Sequence, residues 1–283
     1  MRPSHPPFSF PQGPTVKPSP ARSPLRVTEQ GAILHLTLDN PKARNPLSEA
    51  MLAGLQSAID RATADATIRA VVISAHGPAF CAGHDLKQLS ARRGDPDKGA
   101  AYFTTIMTEC AHLMQSIVAC PKPVIAAIEG PASAAGCQLV ATCDLAVASD
   151  TASFSTPGVN IGLFCSTPMV ALSRNVSRKH AMEMLLLGER LSAADAKAYG
   201  LVNRVVLAGQ ALAEALAMAE VIASKSALTV AIGKRAFHAQ TEMPLAEAYV
   251  YTAEVMVKNM LARDAEEGIG AFIEKRTPDW KGC

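Results

Sequence analysis

Two short segments of small residues, each directly after an apolar run, are the best candidates for chemistry in this sequence. The first, 77–87, follows the apolar run 70–73, and the second, 130–138, follows 123–128. Each pattern predicts a β-strand, a tight turn with few side chains and the start of a helix, which leaves backbone N–H groups free to bind a ligand. Two such turns could direct two N–H donors at one oxygen atom, as stabilisation of an oxyanion requires. For either segment alone, the alternative is that its glycines only turn the chain.

Carboxylate side chains are absent from two stretches of the likely pocket, the second segment and the later stretch 151–182. No Asp or Glu lies between Glu129 and Asp144, or between Asp150 and Glu183. General acid–base catalysis often uses such a side chain as the base. The sequence therefore indicates where a substrate oxygen would bind more clearly than it indicates the reaction.

These residues resemble the crotonase family of enoyl-CoA hydratases and isomerases over roughly residues 25–280. Five segments match in the family's order, at 40–47, 79–87, 134–138, 154–162 and 271–276. The resemblance implies an α/β fold with a crotonase-type ββα spiral core and a C-terminal helical region for oligomerisation. It also implies that coenzyme A binds as part of an acyl-CoA substrate, with no permanently bound cofactor and no metal. The implied assembly is a homotrimer or a dimer of trimers.

The resemblance also implies a role for residues in each matching segment. The N–H groups of His84 and Ala135 would bind the thioester oxygen, and the backbone of His84 is expected to matter more than its imidazole. Gln138 and Gly158 stand where typical hydratases of the family carry two glutamates. The implied substrate-binding residues are Lys42, Ala43, Arg44, Cys81, Ala82, Asp85, Leu86, Phe272 and Lys275. The lysines and the arginine in this set would meet the CoA phosphates, and the phenylalanine would pack on the adenine.

The residues at the two glutamate positions cannot transfer protons. A glutamine amide can hold a water molecule but has no useful proton affinity, and glycine has no side chain. Hydration needs a base for the water and an acid for the α-carbon. We therefore expect a thioester enolate to be stabilised in decarboxylase-type or isomerase-type chemistry, the latter with a base such as Glu109 or Asp85. The alternatives are a non-catalytic acyl-CoA-binding or structural partner, and a weak enoyl-CoA hydratase.

Composition limits the other classes of function. The chain has 283 residues, of which 49% are apolar, and a formal net charge of +2. This charge gives no electrostatic reason to bind nucleic acid or a membrane surface. No apolar run reaches the length of about 18 residues that predicts a membrane span. The seven cysteines are scattered, so we expect buried free thiols in a reducing compartment rather than a disulfide framework.

Three regions are predicted along the chain. Residues 1–24 contain eight prolines, three basic residues and no acidic residue, which predicts a disordered extension. The expected compartment is the cytoplasm, or the mitochondrial matrix if this extension is a transit peptide. Residues 25–200 are expected to form the spiral core, and 201–283 a helical region for trimerisation and closure of the CoA pocket.

The spacing of apolar and capping residues predicts the elements that position these segments. We expect a hairpin at 25–38, a helix from Ser48 to about Ala64, and an almost wholly helical chain from Ser166 onward. One face of the late helices is rich in Met and Leu, and it either closes the core or packs on other subunits. Further predicted N-caps are Ser177, Ser192 and Asp264, the last in a capping box with Glu267, and the predicted C-terminal stops are Gly188 and Gly200.

Overall fold

The computed structural model describes residues 23–283, so nearly all of the predicted extension at 1–24 lies outside the described residues. The strands are β1 Leu25–Gln30, β2 Ile33–Leu38, β3 Ala70–Ala75, β4 Val124–Ile128, β5 Ala132–Ser133, β6 Leu145–Ser149, β7 Ser153–Ser155, β8 Leu191–Ser192 and β9 Arg204–Val206. The helices are α1 Glu49–Ala64, α2 Leu86–Ala91, α3 Ala100–Ala119, α4 Ala135–Thr142, α5 Pro168–Asn175, α6 Arg178–Leu187, α7 Ala193–Tyr199, α8 Ala211–Ala223, α9 Ala227–Gln240, α10 Leu245–Met260 and α11 Arg263–Glu274. Short 3-10 turns lie at Pro41–Ala43, Arg92–Gly94 and Pro157–Ile161.

The larger sheet has the strand order β1-β2-β3-β4-β6-β9 and is parallel except for the first hairpin. Its central strands are apolar on both sides, because helices cover both faces. Val71 and Ile73 belong to the core that includes α1 and α3, whereas Val72 belongs to the core that includes α8. A smaller sheet has the order β5-β7-β8. The predicted α/β fold class is confirmed.

The chain after residue 200 first completes the sheet and then forms helices. β9 pairs in parallel with β6, and alanines of α8 lie in the core beneath the sheet. In α9, the Lys234 side chain is only 6% exposed and donates to the carbonyl of Ile117 at 2.9 Å and to the carboxylate of Asp144 at 2.7 Å. This buried cation fixes the helical region to the core.

Most of the predicted helix boundaries are confirmed. The hydroxyls of Ser48, Ser177 and Ser192 accept hydrogen bonds from the first turns of α1, α6 and α7. Gly188 and Gly200 end α6 and α7 with φ angles of +63° and +88°. Glycine adopts this left-handed conformation at little cost, which is why it marks these ends.

The capping box predicted at Asp264 and Glu267 is wrong. The N-cap of α11 is Ala262, and Asp264 is the second residue of the helix. Its buried carboxylate accepts from the hydroxyl of Ser226 at 2.5 Å and from the N–H of Lys281 at 2.7 Å. These partners are distant in sequence, so a local pattern cannot predict them. Asp264 therefore fixes the C-terminal tail instead of capping its own helix.

Cysteines, metal ligands and apolar helices each bear on the class of protein. All seven cysteines are free; six are buried and only Cys283 is exposed. Burial raises the pKa of Cys81, Cys110 and Cys137 to about 12, so these groups are thiols at neutral pH.

Within residues 23–283 no group of three His, Cys, Asp or Glu side chains is placed to hold a metal ion. Over that range no single helix is long and apolar enough to cross a bilayer. The helices α8 and α9 taken together are long and apolar enough, but the chain bends by 108° between them.

Candidate active site

The two predicted glycine-rich turns pack directly against each other. Cys81 forms an isolated parallel bridge with Ala132, and the N–H of Ser133 donates to the Cys81 carbonyl at 2.9 Å. A Cβ atom at Gly136 would lie 2.2 Å from the same carbonyl oxygen. Because no side chain fits in that space, glycine at 136 is what allows the turns to approach this closely.

Two backbone N–H groups are left without acceptors where the turns meet. Gly83 has a φ of +94°, and a Cβ atom there would lie 3.0 Å from the Cβ of Ala134 and 3.4 Å from the nitrogen of Ala135. Among the described residues, no group accepts a hydrogen bond from the N–H of His84 or of Ala135. The fold therefore holds two N–H donors in adjacent turns, and such a pair can stabilise an oxyanion.

Ala134 is a strained residue at the start of α4 that the sequence pattern does not single out. Its φ of +50° and ψ of −118° are rare for a residue with a side chain and cost on the order of 1–3 kcal/mol. Its N–H donates to the carbonyl of Ser155 at 2.9 Å, and the hydroxyls of Ser133 and Ser155 are 3.0 Å apart. Contacts with β7 thus hold the strained turn that precedes the N–H of Ala135.

The predicted CoA-contacting loop is joined to the first of the two turns. Lys42 and Ala43 lie in an exposed 3-10 turn, which Arg44 ends with a φ of +62°. The carbonyl of Arg44 accepts a hydrogen bond from the N–H of Ala82 at 3.0 Å. The exposed cations therefore lie on a loop that is directly bonded to the candidate oxyanion site.

Asn45 positions this loop, and it too is not singled out by the sequence pattern. The residue is fully buried with a φ of +53°, a conformation that asparagine tolerates better than most residues. Its Nδ2 donates to the carbonyls of His76 and Ala79, both at 2.9 Å. Its Oδ1 accepts from the N–H of Asn40 at 2.7 Å. One amide group therefore connects the CoA loop to the segment after β3.

The predicted C-terminal contacts lie at the end of α11, which packs on α9 and α10. Phe272 is 85% exposed, and Lys275 is an exposed residue that ends the helix with a φ of +56°. Both residues are accessible to a ligand or to a second subunit.

The two positions matched to glutamates differ in their surroundings. Gln138 lies in α4 and is 4% exposed, and its Oε1 atom has no hydrogen-bond partner among the described residues. Gly158 is buried in a 3-10 turn. A Cβ atom at 158 would lie 2.7 Å from the carbonyl oxygen of Leu163 and 2.9 Å from the Sγ of Cys165. The space in which a longer side chain would begin is therefore filled by the same loop.

Of the two carboxylates considered as bases, one caps a helix and the other lies on an exposed helix surface. Asp85 accepts hydrogen bonds from the N–H groups of Lys87 at 2.9 Å and Gln88 at 3.2 Å, so its side chain caps α2. Glu109 lies on an exposed part of α3. The predicted contact residue Leu86 follows Asp85 and is exposed.

The imidazole of His84 is buried without a protein partner. Both ring nitrogens are closed to solvent, and neither makes a hydrogen bond of good geometry with a described residue, although the Leu47 backbone lies close enough to raise the pKa of the ring. Burial lowers the pKa of His84, and the Leu47 backbone opposes this shift only in part. The ring is therefore neutral at neutral pH. Of the four buried, unpartnered side-chain atoms in residues 23–283, two belong to His84 and one to Gln138.

The chain is similar to proteins of one family along almost its whole length. Residues 28–283 match the family model described as enoyl-CoA hydratase/isomerase. A rat protein named enoyl-CoA hydratase domain-containing protein 3, mitochondrial, is 45% identical over 269 residues, which cover 94% of this chain and 88% of that protein. The human protein of the same name is 46% identical over 257 residues, or 91% of this chain and 83% of that protein.

Solved structures give the same result. The crystal structure of an enoyl-CoA hydratase from Mycobacterium smegmatis has a TM-score of 0.87 and 48% identity, and the match covers 92% of this chain and 99% of that one. The human enoyl coenzyme A hydratase domain-containing protein 3 has a TM-score of 0.86 and 46% identity, with 91% and 100% covered. The predicted crotonase-type fold is confirmed. The chain therefore belongs to the enoyl-CoA hydratase/isomerase family, the crotonases.

Proposed function

We propose that this protein binds acyl-CoA thioesters and stabilises a thioester enolate between the N–H groups of His84 and Ala135. The observation behind this proposal is that both N–H groups lie in packed turns without a protein acceptor. A thioester carbonyl oxygen gains negative charge as an enolate forms, and donors fixed in advance lower the energy of that charge. Coenzyme A is then part of the substrate, and no permanently bound cofactor is needed.

The proposed reaction is of the decarboxylase or isomerase type rather than ordinary hydration by two glutamates. Neither Gln138 nor Gly158 can transfer a proton, and the loop itself fills the space beside Gly158. Loss of CO₂ from a malonyl-type thioester produces an enolate without a base. Double-bond migration needs the same oxyanion site and one base.

A panel of acyl-CoA substrates tests this proposal. Wild-type protein is assayed for decarboxylation of malonyl-type thioesters, double-bond migration in 3-enoyl thioesters, hydration of crotonyl-CoA and thioester hydrolysis, with affinities measured by calorimetry. We expect binding together with decarboxylation or double-bond migration. Binding without turnover of any substrate would instead support a non-catalytic acyl-CoA-binding protein. The absence of measurable binding would contradict the proposal altogether.

Charge reversal at the proposed phosphate contacts should weaken CoA-ester binding. Lys42 and Lys275 lie in the two segments proposed to contact CoA, and both are exposed. We expect the Lys42→Glu/Lys275→Glu variant to lose affinity by at least about tenfold at low salt, and less at high salt because ions screen the phosphates. Isothermal calorimetry at two salt concentrations measures both effects.

The control for this variant is Lys179→Glu/Lys197→Glu, which changes the net charge equally at exposed lysines of α6 and α7. The control should bind like wild type. Equal affinity in all three proteins would show that the phosphates are held elsewhere. Equal losses in both variants would mean that only net charge matters.

We further propose that the C-terminal helices form the contacts of a homotrimer, or of a dimer of trimers. In the single chain this face does not close the core, because many of its apolar side chains remain exposed. They include Leu245, Tyr249, Val250, Met256, Met260, Leu261, Phe272 and Ile273. Large apolar patches that stay exposed in a single chain are typical of protein interfaces. Such an assembly would also bring Phe272 and Lys275 of one subunit near a neighbour.

For the compartment, we propose the mitochondrial matrix rather than the cytoplasm, because of how two relatives are named. The rat and human proteins are both named mitochondrial. A reducing compartment of either kind suits the buried free thiols of this chain.

A further inference from the structure

We infer that the imidazole of His84 is the acid–base group of this site, and that it moves a proton between two carbons of an enoyl thioester. This inference rests on the proposed function, because it needs a thioester bound at the two free N–H groups. It adds a side-chain role to a residue whose backbone alone is used in the proposal above.

The first support is the absence of any protein partner for the ring. Both nitrogens of His84 are closed to solvent, and neither makes a hydrogen bond of good geometry with a described residue; the Leu47 backbone is the one polar group that acts on the ring. Leaving a buried polar group unpaired costs about 1–3 kcal/mol, so such groups are rare unless a ligand or a water molecule pairs with them. Gln138 Oε1, in the turn that packs against that of His84, is unpaired in the same way. A polar ligand bound where the two turns pack could form hydrogen bonds with the imidazole of His84 and with the Oε1 atom of Gln138.

The second support is position. The backbone N–H of His84 is one of the two free donors. A thioester oxygen bound there is therefore held by the same residue that carries the imidazole. The α-carbon of the substrate is bonded to the carbon that bears this oxygen. A general base must come within hydrogen-bonding distance of the proton that it removes. Among the ionisable side chains of the two turns, the imidazole belongs to the residue whose N–H binds the oxygen, and it is neutral.

The other ionisable groups near the ring do not suit the role. The carboxylate of Asp85 is occupied in capping α2. Burial raises the pKa of the Cys81 and Cys137 thiols to about 12, so neither is a thiolate at neutral pH. The charged or titratable groups on the two turns and on the loop bonded to them are Lys42, Arg44, Cys81, Asp85, Lys87 and Cys137, with Glu49 at the start of α1. None of them can serve as the base in place of the imidazole, which stays unprotonated because burial lowers its pKa.

The reaction that fits one neutral base is migration of a double bond in a 3-enoyl thioester. A ring nitrogen of His84 takes a proton from C2, and the electrons of that C–H bond form a dienolate whose negative oxygen accepts from the N–H groups of His84 and Ala135. The imidazolium then returns the proton to C4, and the electrons shift back to leave a 2-enoyl thioester. The proton and the electron pairs balance, so no oxidant, reductant or further reactant is needed.

The test uses His84→Gln, which removes the base but keeps the backbone N–H that binds the oxygen. The matched control is His112→Gln, at an exposed histidine of α3. Each protein is assayed for migration of the double bond in 3-hexenoyl-CoA and for incorporation of deuterium from D₂O at C2 of butyryl-CoA, with affinity measured by calorimetry. We expect His84→Gln to lose both activities by about 10²- to 10⁴-fold with unchanged affinity. His112→Gln should match wild type.

The pH profile gives a second readout that a purely structural role would not change. In wild type, the rate should rise with pH through the lowered pKa of His84, below the ordinary value of about 6.5, and then stay constant. This rise should be absent in His84→Gln. If wild type binds the thioester but neither exchanges nor isomerises it, or if His84→Gln keeps full activity, the inference is wrong while the proposed binding stands. If wild type does not bind the thioester, the proposed function itself fails.

Discussion

Replacement of Ala135 with proline should lower kcat by roughly two to three orders of magnitude while the protein stays folded. Proline has no N–H, so the variant lacks one of the two proposed donors to the thioester oxygen. Ala135 is the first residue of α4, a helix position that proline accepts well. Loss of one such donor typically costs about 3 kcal/mol of transition-state stabilisation. Turnover of whichever substrate the panel identifies measures the effect.

The conformation of Ala134 decides how this variant must be controlled. Its ψ of −118° is outside the range that a residue before proline prefers, so thermal unfolding has to be measured alongside turnover. Ala134→Gly/Ala135→Pro relieves part of that strain, because glycine lacks the Cβ atom that clashes with the proline ring. The control is Arg178→Pro, at the first residue of α6, where the preceding Ser177 is extended with a ψ of 153°. A folded Ala135→Pro variant with full turnover would mean that the oxygen is held elsewhere.

The elements of this fold could be predicted from sequence where their determinants are local. Ser48 and Gly188 mark helix ends through contacts within one turn of chain, so a pattern of neighbours is enough to find them. Asp264 resembles a cap locally, but its carboxylate binds Ser226 and the distant C-terminal tail. The positive φ of Asn45 likewise depends on contacts made after folding.

The sequence predicts which segments form the candidate site, but it does not predict which of their atoms are left unpaired or crowded. The two glycine-rich turns and the residues at 138 and 158 follow from motif and family resemblance. The unpaired imidazole of His84 does not, because burial without a partner is a property of the folded chain. The same is true of the crowding beside Gly158, which depends on how residues 163–165 fold back on it.

Wild-type protein should hydrate crotonyl-CoA only near the detection limit. General acid–base assistance is typically worth about 10²- to 10⁴-fold for each group, and neither Gln138 nor Gly158 can provide it. The two N–H donors should still bind the thioester, so weak hydration with normal affinity is the expected combination. A stopped assay that follows loss of the enoyl absorbance measures the rate. Hydration at roughly 10² to 10³ s⁻¹, the upper range of ordinary turnover numbers, would show that the site has another acid–base pair.

Installing the missing carboxylates should raise this activity only when both are present and the loop makes room for them. Gln138→Glu or Gly158→Glu alone should gain little, because water and the α-carbon each need a proton-transfer group. In the double variant the new Cβ at 158 meets the Leu163 carbonyl at 2.7 Å and the Cys165 Sγ at 2.9 Å, so the loop must shift and the gain is limited. Adding Cys165→Ala removes that sulfur and should increase the gain. The control is Gln138→Met with Gly158→Glu, which lacks the second carboxylate and should not hydrate crotonyl-CoA. A double variant no faster than the Gln138→Met/Gly158→Glu control, even with Cys165→Ala, would contradict the view that hydration fails here for want of these two carboxylates.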